Sequence, residues 1–129
     1  GPKVLLINKY SASDGDLFPW SFKANKIGKV IGTRTWGGII GISGPLPYMD
    51  GTDVRVPFFT NYDAKTGQWI VENHGVDPDI LIDNDPVKEQ LGEDQQLNKA
   101  IEVILQELKD RKPLPPVPAP RTYKDLGVE

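Results

Sequence analysis

The beginning of the chain follows the order strand, helix, strand, and this order restricts the folds that the chain can adopt. Val4–Ile7 is a short continuous apolar run, which is typical of a strand buried on both faces. Leu17–Lys26 has apolar residues at helical spacing, and Lys29–Thr33 predicts a second strand. Because Pro19 fits a helix only in its first turn, we expect a late or irregular helix start. Two strands joined by a helix favour a right-handed parallel βαβ unit, so we predict an α/β fold.

The remainder of the chain predicts further strands, a helix and an extended end. We expect two strands on either side of the turn Asp63–Gly67 and a short strand at Ile80–Ile82. Asp94–Lys109 predicts an amphipathic helix whose apolar residues form one face for a core, namely Leu97, Ile101, Ile104, Leu105 and Leu108. Residues 113–129 are rich in proline and can neither continue a helix nor pair as a central strand. We therefore predict one domain over residues 1–112 and an extended tail over residues 113–129.

Composition excludes several classes of function. The 129 residues carry a formal net charge of -3 with scattered basic residues, and this distribution excludes the basic stripe of a nucleic-acid-binding protein. The absence of cysteine excludes disulfides, thiolate metal sites and a thiol nucleophile, and it is compatible with a cytoplasmic location. No apolar run approaches the roughly 20 residues that span a bilayer, so we expect no membrane partner. The chain opens on a strand-like segment without a signal peptide, and we expect a piece of a longer protein.

The polar stretch Ser11–Asp16, "SASDGD", lies between the first strand and the helix and allows several interpretations. Serine and aspartate at a helix start cap free N–H groups and complement the helix dipole. Two carboxylates would repel a phosphate, and the spacing does not meet that of a calcium loop, so we predict no metal. In the third interpretation, Ser13 is a nucleophile at a strand-to-helix turn. Its Oγ would be exposed, and the next N–H would point at a developing oxyanion.

A serine nucleophile needs a general base, and the sequence offers a single histidine, His74. Glu72 and His74 stand two residues apart and would share one face of a strand, which permits a Ser13–His74–Glu72 triad. Neighbouring residues on one face orient each other poorly, and a histidine beside a glycine turn also suits a structural role. The residues alone leave both interpretations open.

Residues 32–51 are unusually rich in glycine and proline. Such loops often let a ligand or another backbone approach closely. Trp36, Gly37 and Gly38 could therefore line a substrate cleft in which a peptide pairs with the backbone. The alternative is that this loop only folds over the sheet.

Four stretches of the chain together resemble the tricorn-like serine peptidases, a family related to the tail-specific, C-terminal processing proteases. They are "NKYSASDGDLFPWSFK", "GKVIGTRTWGG", "WIVENHGVDPDILIDNDP" and the helix "DQQLNKAIEVILQELK" before the proline tail. The resemblance spans nearly the whole chain and corresponds to the C-terminal half of the peptidase domain. It implies part of a crotonase-like spiral of βαβ units whose N-terminal half is missing.

The resemblance also implies roles for individual residues. Ser13 corresponds to the nucleophile, and the Asp14 backbone N–H corresponds to one oxyanion-hole donor, the other being an upstream glycine. The family uses a Ser-His-Ser-Glu tetrad whose glutamate corresponds to Glu72. The histidine and the second serine of the tetrad would come from a segment before Val4 that is absent, so His74 would not be the base.

The related tail-specific proteases use a Ser–Lys dyad instead, and this chain departs from their pattern. Gly38 stands where the lysine of their motif would be. Lys26 and Lys29, the nearest alternatives in sequence, suit solvated charges at the ends of a helix and a strand. The resemblance therefore implies the tetrad, with no cofactor and no metal.

These implications predict a serine peptidase fragment that acts on peptides and is nearly inactive alone. Its partners would be the missing N-terminal half and, in the full-length protein, further copies in a homo-oligomer. The alternative is a non-catalytic peptide-binding or assembly module that uses an exposed edge strand and the proline-rich tail.

Overall fold

The computed structural model describes residues 1–42 and 47–127 and has a mixed architecture of helices and strands. A 3-10 turn at Lys124–Leu126 follows the last helix, so the prediction of an extended conformation over residues 113–129 is wrong at this turn. In chain order the other elements are β1 (Val4–Ile7), α1 (Asp14–Ala24), β2 (Lys29–Gly32), β3 (Gly41–Ile42), β4 (Pro57–Phe59), β5 (Ile80–Leu81), α2 (Pro86–Gln90) and α3 (Gln95–Lys109).

A three-stranded parallel sheet organises the chain in the order β1-β2-β5. β1 and β2 pair in register from Val4 beside Lys29 to Ile7 beside Gly32. The helix α1 connects them, so the predicted parallel βαβ unit is confirmed. Phe22 of α1 packs on Ile7 and Val30 to form a small apolar core.

The prediction that β1 is buried on both faces is wrong. Ile7 is 3% exposed and lies on the face that α1 covers, whereas Leu6 points to the opposite face and is 39% exposed. The helix α3 contacts β1 and β2, but a sheet of three short strands offers only a small surface against which the helix can pack. Only one face of β1 is therefore sealed from solvent by the described residues.

The helix α3 begins at Gln95 after the N-cap Asp94, whose side chain accepts a hydrogen bond from the Leu97 N–H. The predicted helix is thus confirmed, but the expected burial of its apolar face is wrong. Ala100 is the buried residue of this helix. Of the expected core residues, Ile104 is half-buried, and four remain exposed, namely Leu97, Ile101, Leu105 and Leu108.

The helix α1 starts at Asp14, earlier than the predicted Leu17. Ser13 is its N-cap, and the Asp16 side chain accepts a hydrogen bond from the Ser13 N–H. Pro19 therefore lies inside the helix, beyond the first turn, where its ring nitrogen cannot donate to a carbonyl of the preceding turn. The capping interactions, rather than the proline, determine where this helix begins.

The turn Asp63–Gly67 forms as predicted, with the Gly67 N–H donating to the Asp63 carbonyl at 2.7 Å. The two strands expected around it do not form a ladder, because β4 pairs antiparallel with β3 instead. A single bridge between Tyr62 and Trp69 remains of the expected hairpin. The glycine- and proline-rich loop lies partly outside the described residues, which omit positions 43–46.

The short strand predicted at Ile80–Ile82 is confirmed as β5, and the helix α2 was not predicted. Asp85 caps α2, and Pro86 occupies its first turn, where a proline is well tolerated. Residues 111–122 contain neither helix nor strand and are exposed. Among the residues that the structure describes, no helix has both the length and the apolar character needed to cross a membrane.

Candidate active site

Ser13 occupies the turn between β1 and α1 in an unusual backbone conformation. Its φ of 57° and ψ of -112° lie where residues other than glycine are strained, typically by about 1–3 kcal/mol. The residue is exposed, and its side chain makes no capping hydrogen bond. A strained strand-to-helix turn with an exposed hydroxyl is the arrangement that serine hydrolases use for a nucleophile.

Asp14 is the first residue of α1, so its N–H belongs to the free donors at the helix N-terminus. This N–H has no acceptor among the described residues. The positive end of the helix dipole lies at the same place. The turn therefore offers an unoccupied donor beside the Ser13 hydroxyl, which is what a developing oxyanion requires.

All four backbone hydrogen-bonding groups of Gly37 and Gly38 are occupied, three of them by the turn that contains Ser13 and Asp16. Both N–H groups donate to the Asp16 carboxylate. The Gly38 carbonyl accepts from the Ser13 N–H at 3.2 Å, and the Gly37 carbonyl accepts from the Asn73 N–H at 2.8 Å. These groups are therefore not available for pairing with a substrate peptide.

The same loop shows why two glycines follow Trp36. Gly37 has a φ of 86°, and a Cβ added to it would lie 2.5 Å from the Gly75 nitrogen. A Cβ on Gly38 would lie 2.1 Å from the Trp36 ring. The glycines thus permit close packing, and the exposed Trp36 ring is the part of this predicted cleft that faces solvent.

Glu72 lies in the turn that follows Ile70, between Val71 and Asn73, both of which have positive φ. Its Oε2 accepts hydrogen bonds from the Ile39 N–H at 2.7 Å and the Ile40 N–H at 3.1 Å. Its Oε1 has no hydrogen-bond partner in the described part of the chain. Oε2 is thus bound to the loop, and Oε1 can accept a hydrogen bond from a further donor.

Ser13 and Glu72 are joined through that one loop. Gly38 binds the Ser13 N–H, and the next residue, Ile39, binds the Glu72 carboxylate. Hydrogen bonds to one loop therefore connect two residues that are far apart in sequence, and their common role in an active site stays a prediction.

His74 does not lie on a strand with Glu72, so the expectation of a shared strand face is wrong. Both residues belong to the turn, and the His74 Nε2 lies 2.9 Å from an oxygen of Asp77. The other Asp77 oxygen accepts from the Arg34 Nε at 2.6 Å. The imidazole is thus bound to Asp77, and no hydrogen bond between His74 and Ser13 or Glu72 side chains is present among the described residues, so this geometry gives no support to a Ser13–His74–Glu72 triad.

The hydrogen bond from His74, followed by that from Arg34, lowers the pKa of Asp77. A carboxyl whose pKa falls on folding stabilises the fold above its unfolded pKa, and this stabilisation is lost as the pH falls through the folded value. His74, Asp77 and Arg34 are all more than half exposed, and exposed pairs contribute about 0–1 kcal/mol. The cluster is a minor surface feature.

We expect His74→Ala to have little effect on peptide hydrolysis. The substitution removes one exposed hydrogen bond to Asp77 and leaves the contacts of Ser13 and Glu72 intact. Steady-state kinetics of the full-length protein should therefore give a kcat within about threefold of the unsubstituted enzyme. Loss of a general base would instead lower kcat by about 10²–10⁴-fold. A fall of that larger size would show that His74 is the base.

Neither lysine considered as an alternative base lies near Ser13. Lys26 follows the C-terminal end of α1 and Lys29 begins β2, whereas Ser13 lies at the N-terminal end of α1. The 11 residues of this helix span about 16 Å. The described residues also contain no cluster of three or more histidine or acidic side chains that could hold a metal.

Asp16 is a residue of the site that the sequence reasoning did not single out. The sequence indicates only a possible helix cap at this position, whereas the Asp16 carboxylate also binds both glycines of the loop. The capping-box spacing Ser13-x-x-Asp16 was the signal in the sequence. Nothing local indicated the contact with Gly37 and Gly38.

The chain spans only a small part of the proteins to which it is similar. Tricorn protease of Thermoplasma volcanium is 44% identical over 112 residues, which are 87% of this chain and 11% of that protein. The crystal structure of the tricorn protease matches with a TM-score of 0.77 at 42% identity, covering 84% of this chain and 11% of that one.

A second solved structure, the photosystem II D1 C-terminal processing protease, matches less closely. Its TM-score is 0.51 at 29% identity, over 64% of this chain and 20% of that one. Peptidase family S41 matches residues 1–82, which include β1, α1 and both proposed catalytic residues. The chain with its strained serine turn and its loop-bound glutamate therefore belongs to peptidase family S41.

Proposed function

We propose that this chain supplies the nucleophile and the glutamate of a tricorn-type serine peptidase. The observation that carries the proposal is the connection of the strained, exposed Ser13 to Glu72 through Gly38 and Ile39. The free N–H of Asp14 adds an oxyanion donor at the same turn. Membership of family S41 and the similarity to tricorn protease support the same chemistry.

In the proposed mechanism, Ser13 Oγ attacks the peptide carbonyl carbon while a histidine outside these residues takes its proton. The oxyanion of the tetrahedral intermediate accepts a hydrogen bond from the Asp14 N–H and from a glycine N–H that also lies outside them. The histidine then protonates the leaving amine, and water hydrolyses the acyl-enzyme. Glu72 uses its free Oε1 to bind the second serine of the tetrad, which orients the histidine.

The wider predictions belong to the same proposal. Substrates are peptides, the exposed Trp36 ring contributes to their cleft, and no cofactor takes part. Residues 1–112 act as the C-terminal part of a crotonase-like catalytic domain, and residues 113–129 form its proline-rich tail. The full-length protein is a cytoplasmic homo-oligomer, and the N-terminal half of the catalytic domain completes the site.

A non-catalytic role in peptide binding or assembly is the competing proposal, and two observations favour it. β1 and β5 are the edges of the sheet among the described residues, so their outer backbone groups can pair with another chain. The segment from 111 to 122 is exposed and contains neither helix nor strand, as a docking segment would. Activity at Ser13 separates the two proposals.

We expect the 129-residue chain alone to show no peptide hydrolysis and no labelling by a fluorophosphonate, which reacts only with an activated serine. The reason is that its single histidine is engaged by Asp77 and lies off the proposed proton path. The measurement is mass spectrometry of the probe adduct, with the isolated chain and the full-length protein treated side by side.

An adduct at Ser13 that forms in the full-length protein but not in the isolated chain would support the tetrad. Labelling of the isolated chain, lost in Ser13→Ala, would refute the need for an external histidine. No labelling in either form would favour the binding role. Circular dichroism of the isolated chain controls for loss of fold.

A further inference from the structure

We infer that Asp16 is a positioning residue that fixes the Ser13 backbone relative to Glu72. This inference rests on the proposed peptidase function and adds to it a residue that touches neither the substrate nor the reacting atoms. It is carried by the burial of the Asp16 side chain and by the three backbone groups that converge on it.

Asp16 is 0% exposed, although a carboxylate is rarely buried without a charged partner. No cation pairs with it in the described part of the chain. Its Oδ1 accepts from the Gly37 N–H at 2.8 Å, and its Oδ2 accepts from the Ser13 N–H at 3.0 Å and the Gly38 N–H at 3.2 Å. The positive end of the α1 dipole adds to these donors, since Asp16 lies in the first turn.

The three donors belong to two segments, which are otherwise joined by two backbone hydrogen bonds, from the Ser13 N–H to the Gly38 carbonyl and from the Trp36 N–H to the Ser11 carbonyl. Ser13 forms the strained turn, and Gly37 and Gly38 start the loop whose next two residues bind Glu72. The Asp16 carboxylate therefore ties the nucleophile turn to the loop whose N–H groups bind Glu72. Without Asp16 the Ser13 N–H keeps only the Gly38 carbonyl as an acceptor, so we expect the strained φ of Ser13 to relax more easily and the hydroxyl to move with it.

Only a short carboxylate meets this requirement. Two oxygens provide lone pairs for three donors, whereas an amide offers one oxygen and an NH₂ group that has nothing to donate to here. In Asp16→Asn, the NH₂ group must therefore face the Gly37 N–H or the pair of N–H groups from Ser13 and Gly38. The isosteric variant keeps the volume and loses at least one of the three hydrogen bonds that form the tie.

The test uses the full-length protein and measures the rate of fluorophosphonate labelling at Ser13, together with kcat and KM for a peptide. We expect Asp16→Asn to slow labelling and lower kcat by about 10–100-fold, with KM changed less than about threefold, because a misplaced nucleophile affects the reacting geometry more than binding. Asp79→Asn is the matched control. Asp79 also accepts a backbone N–H, from Val30, and pairs with Lys23, but it has no bond to Ser13 or to the loop.

Slow labelling in Asp16→Asn with a normal rate in Asp79→Asn, at a similar loss of thermal stability, would support the inference. An unchanged labelling rate in Asp16→Asn, or an equal loss in Asp79→Asn, would overturn it. If the unsubstituted protein is not labelled at Ser13, the proposed function fails and the inference falls with it.

Amide hydrogen exchange on the unsubstituted protein gives a measurement that does not depend on a variant folding. The N–H groups of Gly37 and Gly38 lie in a segment without helix or strand, and we expect them to exchange as slowly as those of the core strand β2. Rapid exchange of these two amides would contradict the tie directly.

Discussion

Ser13→Ala is expected to abolish peptide hydrolysis by the full-length protein, with kcat reduced by about five to six orders of magnitude. Removal of a serine nucleophile has an effect of this size because the covalent route is lost and only binding and oxyanion stabilisation remain. The fold should persist, since the Ser13 side chain is exposed and makes no capping hydrogen bond. Its backbone contacts with Gly38 and Asp16 do not involve the hydroxyl.

The measurement is steady-state hydrolysis of a fluorogenic peptide, with the melting temperature recorded for each protein. Ser11→Ala is the matched control, because it removes a neighbouring hydroxyl that only accepts a hydrogen bond from the Asn8 N–H. We expect that control to keep kcat within about threefold, since the lost bond is exposed and contributes about 1 kcal/mol or less to stability. Activity of Ser13→Ala above one part in about a thousand would identify another nucleophile.

The parts of the fold that the sequence predicts correctly are those determined by neighbouring residues. The apolar run of β1, the helical spacing of α3 and the turn at Asp63–Gly67 are local patterns, and each appears at the predicted place. The strand–helix–strand order also predicts the parallel pair of β1 and β2. Pairing outside such a unit is different, because the partner of the strand lies elsewhere in the chain. β4 pairs with β3 rather than with the residues after the turn, and no local pattern indicates that choice.

The candidate site divides in the same way. Ser13 is recognisable from its place at a strand-to-helix turn, and its contacts with Asp16 follow from capping chemistry. The partners of the Glu72 carboxylate are not recognisable from residue spacing, since they are backbone N–H groups more than thirty positions earlier in the chain. The prediction that His74 lies on a strand with Glu72 is wrong because the chain forms a turn there, with positive φ at Val71 and Asn73.

Glu72→Gln is expected to lower kcat by about 10²–10⁴-fold while the protein stays folded. The substituted side chain can keep its oxygen on the Ile39 and Ile40 N–H groups, so the loop retains both hydrogen bonds. The NH₂ group then replaces Oε1, the oxygen with no partner among the described residues. In the proposed tetrad this position must accept a hydrogen bond and carry negative charge, and an amide does neither; loss of the acid of a triad has effects of this order.

Glu72→Ala separates the role of the charge from the role of the loop contacts. It leaves the Ile39 and Ile40 N–H groups without their acceptor, and a lost partner of a buried donor costs about 1–3 kcal/mol. Ile39 is buried, so this cost should appear as a lower melting temperature in Glu72→Ala than in Glu72→Gln. If Glu72 acts only by holding the loop, Glu72→Gln keeps its activity and Glu72→Ala loses it. If Glu72 orients the base, both variants lose activity and only Glu72→Ala loses stability. Glu93→Gln, which removes an exposed partner of Lys88, controls for the general effect of one lost charge.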